Sequence, residues 1–75
     1  MLRVICYRFH EEGGFSVVLT NDITGSNFPR AEKGWRADGQ TQVRERDSKR
    51  LGAEASEILA AIQQDGYFLG SIRRT

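Results

Sequence analysis

A second cysteine is missing from this chain, and with it any intrachain disulfide. Cys6 stands alone among 75 residues. Histidine is equally scarce: His10 is the only one, so the common zinc ligand sets cannot be assembled and no metal is expected. The two staples that hold many small domains together are thus set aside. The fold has to rest on its apolar core, with an oligomeric partner as the other source of support. Long apolar runs are lacking too. None approaches the roughly 18 residues that span a bilayer. The start Met1-Leu2-Arg3-Val4 lacks the apolar stretch of a signal peptide. Small secreted domains lean on disulfides, so the expected location is cytoplasmic, with no membrane partner.

Charge of one sign is also lacking overall, since the net charge is only +1. The distribution says more. Between residues 30 and 50 stand Arg30, Lys33, Arg36, Arg44, Arg46, Lys49 and Arg50 against Glu32, Asp38, Glu45 and Asp47, a local excess of +3. Residues 51–67 hold only Glu54, Glu57 and Asp65. The chain therefore has a basic middle and an acidic segment after it.

Alternation of apolar and polar residues locates the strands. In residues 2–10, Ile5, Tyr7 and Phe9 alternate with Cys6, Arg8 and His10. Residues 15–20 place Phe15, Val17 and Leu19 on one side. Glu11-Glu12-Gly13-Gly14 between them is a turn signal, so the two segments form a β-hairpin. A three-residue loop, Glu12-Gly13-Gly14, would set Ile5, Tyr7 and Phe9 beside Phe15, Val17 and Leu19. Residues 21–40 read as a long irregular loop that carries Ile23, Phe28 and Trp35. Residues 41–46 read as a short third strand or an early helical turn, the strand favoured because Thr41 and Val43 alternate with polar neighbours. A helix is expected from a cap at Asp47 or Ser48 to about Asp65, with Leu51, Ala55, Ile58, Leu59 and Ile62 on one stripe. Gly52 would lie inside it, and Gly66 ends it. Residues 67–72 read as the last strand, and 73–75 as a frayed tail.

The expected fold class is therefore α+β: a single domain over residues 1–75, in the order β-β-(β)-α-β. A small antiparallel sheet carries one helix on one face. The helix stripe is expected to cover Ile5, Tyr7, Phe9, Phe15, Val17 and Leu19. The other face, with Val4, Cys6, Arg8, His10, Ser16, Val18 and Thr20, would be half apolar and open to a partner or a second copy.

Catalytic constellations are scarce. Cys6 and His10 share a strand face but stand roughly 13 Å apart along it, too far for a nucleophile and its base. No Gly-x-Ser-x-Gly, Walker or Gly-x-Gly-x-x-Gly pattern occurs, so no nucleotide or other cofactor is expected. The acids Glu11, Glu12, Glu54 and Glu57 read as solvated surface. The most distinctive stretch runs from Phe28 to Arg36, where Phe28, Arg30, Lys33, Trp35 and Arg36 combine aromatic anchors with cations. Such residues favour interface hot spots or stacking on bases. The plain reading weighs as much: Phe28 and Trp35 pin the loop to the sheet as satellite core. Arg44, Arg46 and Arg50 form a second basic group, whose plain reading is a charged edge that discourages aggregation.

These readings converge on a small binding module without catalysis, with a protein partner and a homodimer as one form of it. The alternative is nucleic-acid binding through the basic 30–50 segment. The sequence pI of about 7.9 speaks against a strongly basic nucleic-acid domain. An enzyme with an unrecognised site ranks third. The element order is common to many unrelated small domains and carries no function by itself.

Overall fold

A computed structural model describes residues 3–22 and 24–72. The chain runs β1 (Arg3–Glu11), β2 (Ser16–Thr20), β3 (Trp35–Arg44), α1 (Ala55–Asp65) and β4 (Tyr67–Ser71). This is the expected α+β class and element order. All strand pairs are antiparallel, in the spatial order β3-β1-β2-β4. The expected tail at 73–75 and Ile23 lie outside the described residues.

The hairpin register differs from the expected one. Phe9 pairs with Val18, Tyr7 with Thr20 and His10 with Val17. The connection is therefore four residues, Glu12 to Phe15, not three. An even loop puts Ile5, Tyr7 and Phe9 on the face of Val18 and Thr20, because side-chain direction alternates at every residue. Val4, Cys6, Arg8 and His10 share the other face with Val17 and Leu19. Glu11 fastens the turn: its carbonyl accepts the Gly14 N–H at 3.3 Å, and its carboxylate accepts the Ser16 N–H at 3.3 Å.

That register turns β1 over beneath the helix: Leu19 of β2 lies under α1 as expected, but β1 presents Val4 and Cys6 there in place of Ile5, Tyr7 and Phe9. Ala55, Ile58, Leu59 and Ile62 pack on Cys6, Leu19 and Val43, with Val4, Leu51 and Phe68 at the margin. Of the face expected to lie open, Val4 and Cys6 join the main core, whereas Val18 and Thr20 lie on the aromatic side. The helix offers a narrow stripe that contains an alanine, and it sits closely on Val4 and Cys6.

The aromatic face is covered by the loop between β2 and β3. Phe28 is buried there, with ring centroids 5.3 Å from Phe9, 5.4 Å from Trp35 and 6.3 Å from Tyr67. A polar clamp anchors the loop at its start. The buried Thr20 hydroxyl lies 2.8 Å from both Asn27 Oδ1 and the Gly66 carbonyl, and it accepts the Asp22 N–H at 3.0 Å. Asn27 Nδ2 donates to the same Gly66 carbonyl at 3.0 Å.

β3 starts at Trp35, so the irregular segment ends at Gly34. Gln40 pairs with Tyr7 and Ala37 with Phe9, so Asp38 and Gly39 both fall opposite Arg8. This is a β-bulge, with Gly39 at φ 92° and an Arg8–Asp38 ion pair of 3.0 Å across it.

The helix starts at Ala55, not near Ser48. Leu51 (φ 52°) and Gly52 (φ 77°) are left-handed, and reciprocal bonds between Arg50 and Ala53 of 3.1 and 3.0 Å close a tight turn around them. Asp47 does not cap a helix. Its carboxylate accepts the Arg44 N–H at 2.9 Å and pairs with Arg50 at 3.1 Å. The far end is as expected: Gly66 (φ 87°) donates its N–H to the Ile62 carbonyl at 2.8 Å.

Candidate binding surface

The structure separates the sequence candidates into three groups. Phe28 and Trp35 come together. Trp35 meets Phe28 edge-on at 88°, and its indole N–H donates to the Pro29 carbonyl at 3.0 Å. Phe28 is enclosed and Trp35 is half-buried. Together with Phe9 and Tyr67 they build a second small core beneath the loop.

Arg30, Lys33 and Arg36 lie toward the hairpin end. Arg30 is exposed, Lys33 lies over Gly13, and Arg36 faces Glu12 at 3.6 Å. Arg44, Arg46 and Arg50 lie at the other end of β3, a strand about 30 Å long. Arg44 bonds Gln42 Oε1 at 3.2 Å. Arg50 is tied to Thr41 Oγ1 at 3.1 Å, the Gln42 carbonyl at 3.2 Å and Asp47. Lys49 reaches Glu54 at 3.7 Å. Arg36 shares the face of its ladder partner His10, whereas Arg44 lies on the opposite face from Val43. The basic segment therefore does not assemble into one stripe.

The groups capable of chemistry stay apart. Cys6 is fully buried, and that burial pushes its thiol up from the ordinary value, partly offset by the Arg50 guanidinium. A thiol held protonated is a poor nucleophile. His10 Nδ1 lies 2.8 Å from the Glu11 carbonyl, to which its N–H donates. Among the described residues no three histidine, cysteine, aspartate or glutamate side chains gather at metal-binding distance. Among the described residues, Asp22 has the one carboxyl held well below its usual range, at about 2. The Thr24 side chain is the main cause, followed by the Thr24 backbone and then Ser26. The Thr24 hydroxyl donates at 2.6 Å and its N–H at 2.9 Å, so the arrangement is a self-contained turn. An open groove of about 430 Å³ beside α1 is lined by Val4, Asn21, Leu59, Ile62 and Gln63, without an acid, base or nucleophile among them.

What the sequence reading missed is the β4 edge. β4 is the last strand of the sheet and carries no charge, proline or bulge. Its ladder to β2 is bonded through Ile72 N–H to Phe15 at one end and Asn21 N–H to Gly66 at the other. Antiparallel bonding alternates, so Phe68 and Gly70 face β2, and the backbone groups of Tyr67 and Leu69 point outward. Among the described residues, three of the four exposed large apolar side chains lie on or next to this strand: Leu69 (49% exposed) on the aromatic face, and Phe15 (58%) and Ile72 (42%), bonded to each other just past its end. The fourth, Ile5, lies on β1. The other edge, β3, carries Arg36, Asp38, Arg44 and the bulge. Lack of charge in 67–71 was a readable signal, but the edge position depends on strand order. Among the described residues no helix is long and apolar enough to cross a membrane. No family model, no curated protein and no solved structure matches the chain.

Proposed function

We propose that this chain is a protein-binding module without catalysis of its own, and that it takes its partner along the outer edge of β4. One observation carries the reading: a strand with the backbone groups of Tyr67 and Leu69 directed outward and no charge, proline or bulge against pairing, carrying exposed Leu69 and with exposed Phe15 and Ile72 past its end. Edge strands are normally blunted by charge, proline or bulges, and β3 has two of these while β4 has none. Strand addition uses main-chain bonds for affinity and neighbouring side chains for specificity. The enclosed Phe28 and the tied-down Arg50 are less suited to carry a partner. The dispersal of the cations along β3 weighs against nucleic acid as the ligand.

The test is site-specific photo-crosslinking in cells. A photo-reactive phenylalanine analogue is placed at position 69, at position 15, or at position 40 on β3. The reading expects discrete protein adducts from 69 and 15 and none from 40. Adducts only from 40, or nucleic-acid adducts alone, would overturn it.

A further inference from the structure

We infer that the partner on the β4 edge is a second copy of this chain, the two β4 strands pairing antiparallel about a two-fold axis to give a continuous eight-stranded sheet. This rests on the edge-binding reading above and names its occupant. Antiparallel pairing requires that outward-facing residues meet outward-facing residues. Tyr67 and Leu69 are outward, so an axis at Phe68 sets Tyr67 opposite the partner's Leu69 and Leu69 opposite the partner's Tyr67. About four main-chain hydrogen bonds form, two per pair.

The side chains suit the same arrangement. Tyr67 and Leu69 project on the aromatic face, so a tyrosine and a leucine become direct cross-strand neighbours twice, a favourable aromatic–aliphatic pair. Exposed Leu69 would be covered. A foreign strand would have to match this pattern, and a second copy matches it by symmetry. The polar β3 edge, bulged at Asp38–Gly39, offers no such self-match.

The test is sedimentation equilibrium on the full chain from low micromolar to millimolar concentration, with isotope-filtered NMR on a mixed labelled and unlabelled sample. Three variants accompany it: Leu69→Lys, a chain N-methylated at Leu69, and Glu57→Lys on the exposed helix face as control. Leu69 is half-exposed, so both changes there leave the folded core intact; the N-methyl form removes one outward N–H without adding charge. The inference expects a concentration-dependent dimer with interchain contacts between Tyr67 and Leu69. Both position-69 changes should raise its dissociation constant at least about tenfold, and Glu57→Lys should leave it unchanged. A monomer at every concentration, or a dimer insensitive to both changes, overturns self-pairing. If position 69 still crosslinks a different protein in cells, the edge-binding reading survives that failure; if it crosslinks nothing, both fall.

Discussion

Replacing Phe28 by alanine tests whether the 21–34 loop is a wall of the fold or a free recognition loop. Phe28 is buried and meets the rings of Phe9, Trp35 and Tyr67. Removing a buried phenylalanine costs about 3–5 kcal/mol. A chain of this length is stable by about 4–11 kcal/mol in total. The variant should therefore lose from about a quarter to all of its stability. Phe28→Leu keeps most of the volume and loses chiefly the ring pairs, each worth about 0.5–1.5 kcal/mol. With three such pairs its cost should be at least about 1.5 kcal/mol, and below that of the alanine variant. Urea unfolding followed by Trp35 fluorescence reads both. With a slope near about 1 kcal/mol per molar urea, Phe28→Ala should lower the midpoint by about 3 M or leave no folded baseline. Native emission should also shift to the red, since Trp35 loses the ring it packs against. A loss below about 1 kcal/mol with unchanged emission would refute the second-core assignment and return Phe28 to the list of partner contacts.

Gly66→Ala should destabilise by about 2 kcal/mol or more, because φ is 87° and the new Cβ would sit 2.5 Å from Asn27 Nδ2. Gly34→Ala has the same φ but open space around it and should cost only about 1 kcal/mol; equal losses in thermal melts would contradict the clamp. The Asp22 carboxyl should titrate near pH 2 by carbon-detected NMR. Its folded value is depressed, so its contribution to stability is present above the usual carboxylate range and is lost as pH falls from about 4 to 2. Thr24→Ala removes the main cause, and an unmoved titration there would contradict it. Mixed-sequence DNA and RNA should bind weakly at low salt and not at physiological salt; retention there would revive the basic-segment reading.

Local features were legible where one residue type decides them. Glu11-Glu12-Gly13-Gly14 marked the hairpin, Gly66 the helix end, and Ile58, Leu59 and Ile62 the buried stripe. The face was not legible, because Val17-Val18-Leu19 is apolar at both parities and so leaves the register to the loop. A loop one residue longer turned β1 over relative to β2 and left Leu19 beneath the helix. The helix start was hidden for a similar reason: Leu51 packs against the core as expected, yet does so from a left-handed turn. Phe28 and Trp35 stood out in sequence, but their burial depends on Phe9 and Tyr67 from opposite ends of the chain. The edge status of β4 follows from the order β3-β1-β2-β4, which no local pattern encodes.

Amide hydrogen exchange along β4, measured from dilute to concentrated protein, addresses the open edge most directly. In dilute solution the Phe68 and Gly70 amides, bonded to β2, should be protected, and those of Tyr67 and Leu69 should exchange quickly. On concentration, or with a captured partner added, Tyr67 and Leu69 should gain at least about tenfold protection. Protection of Tyr67 and Leu69 in the dilute monomer, or fast exchange under every condition, would contradict an edge that pairs.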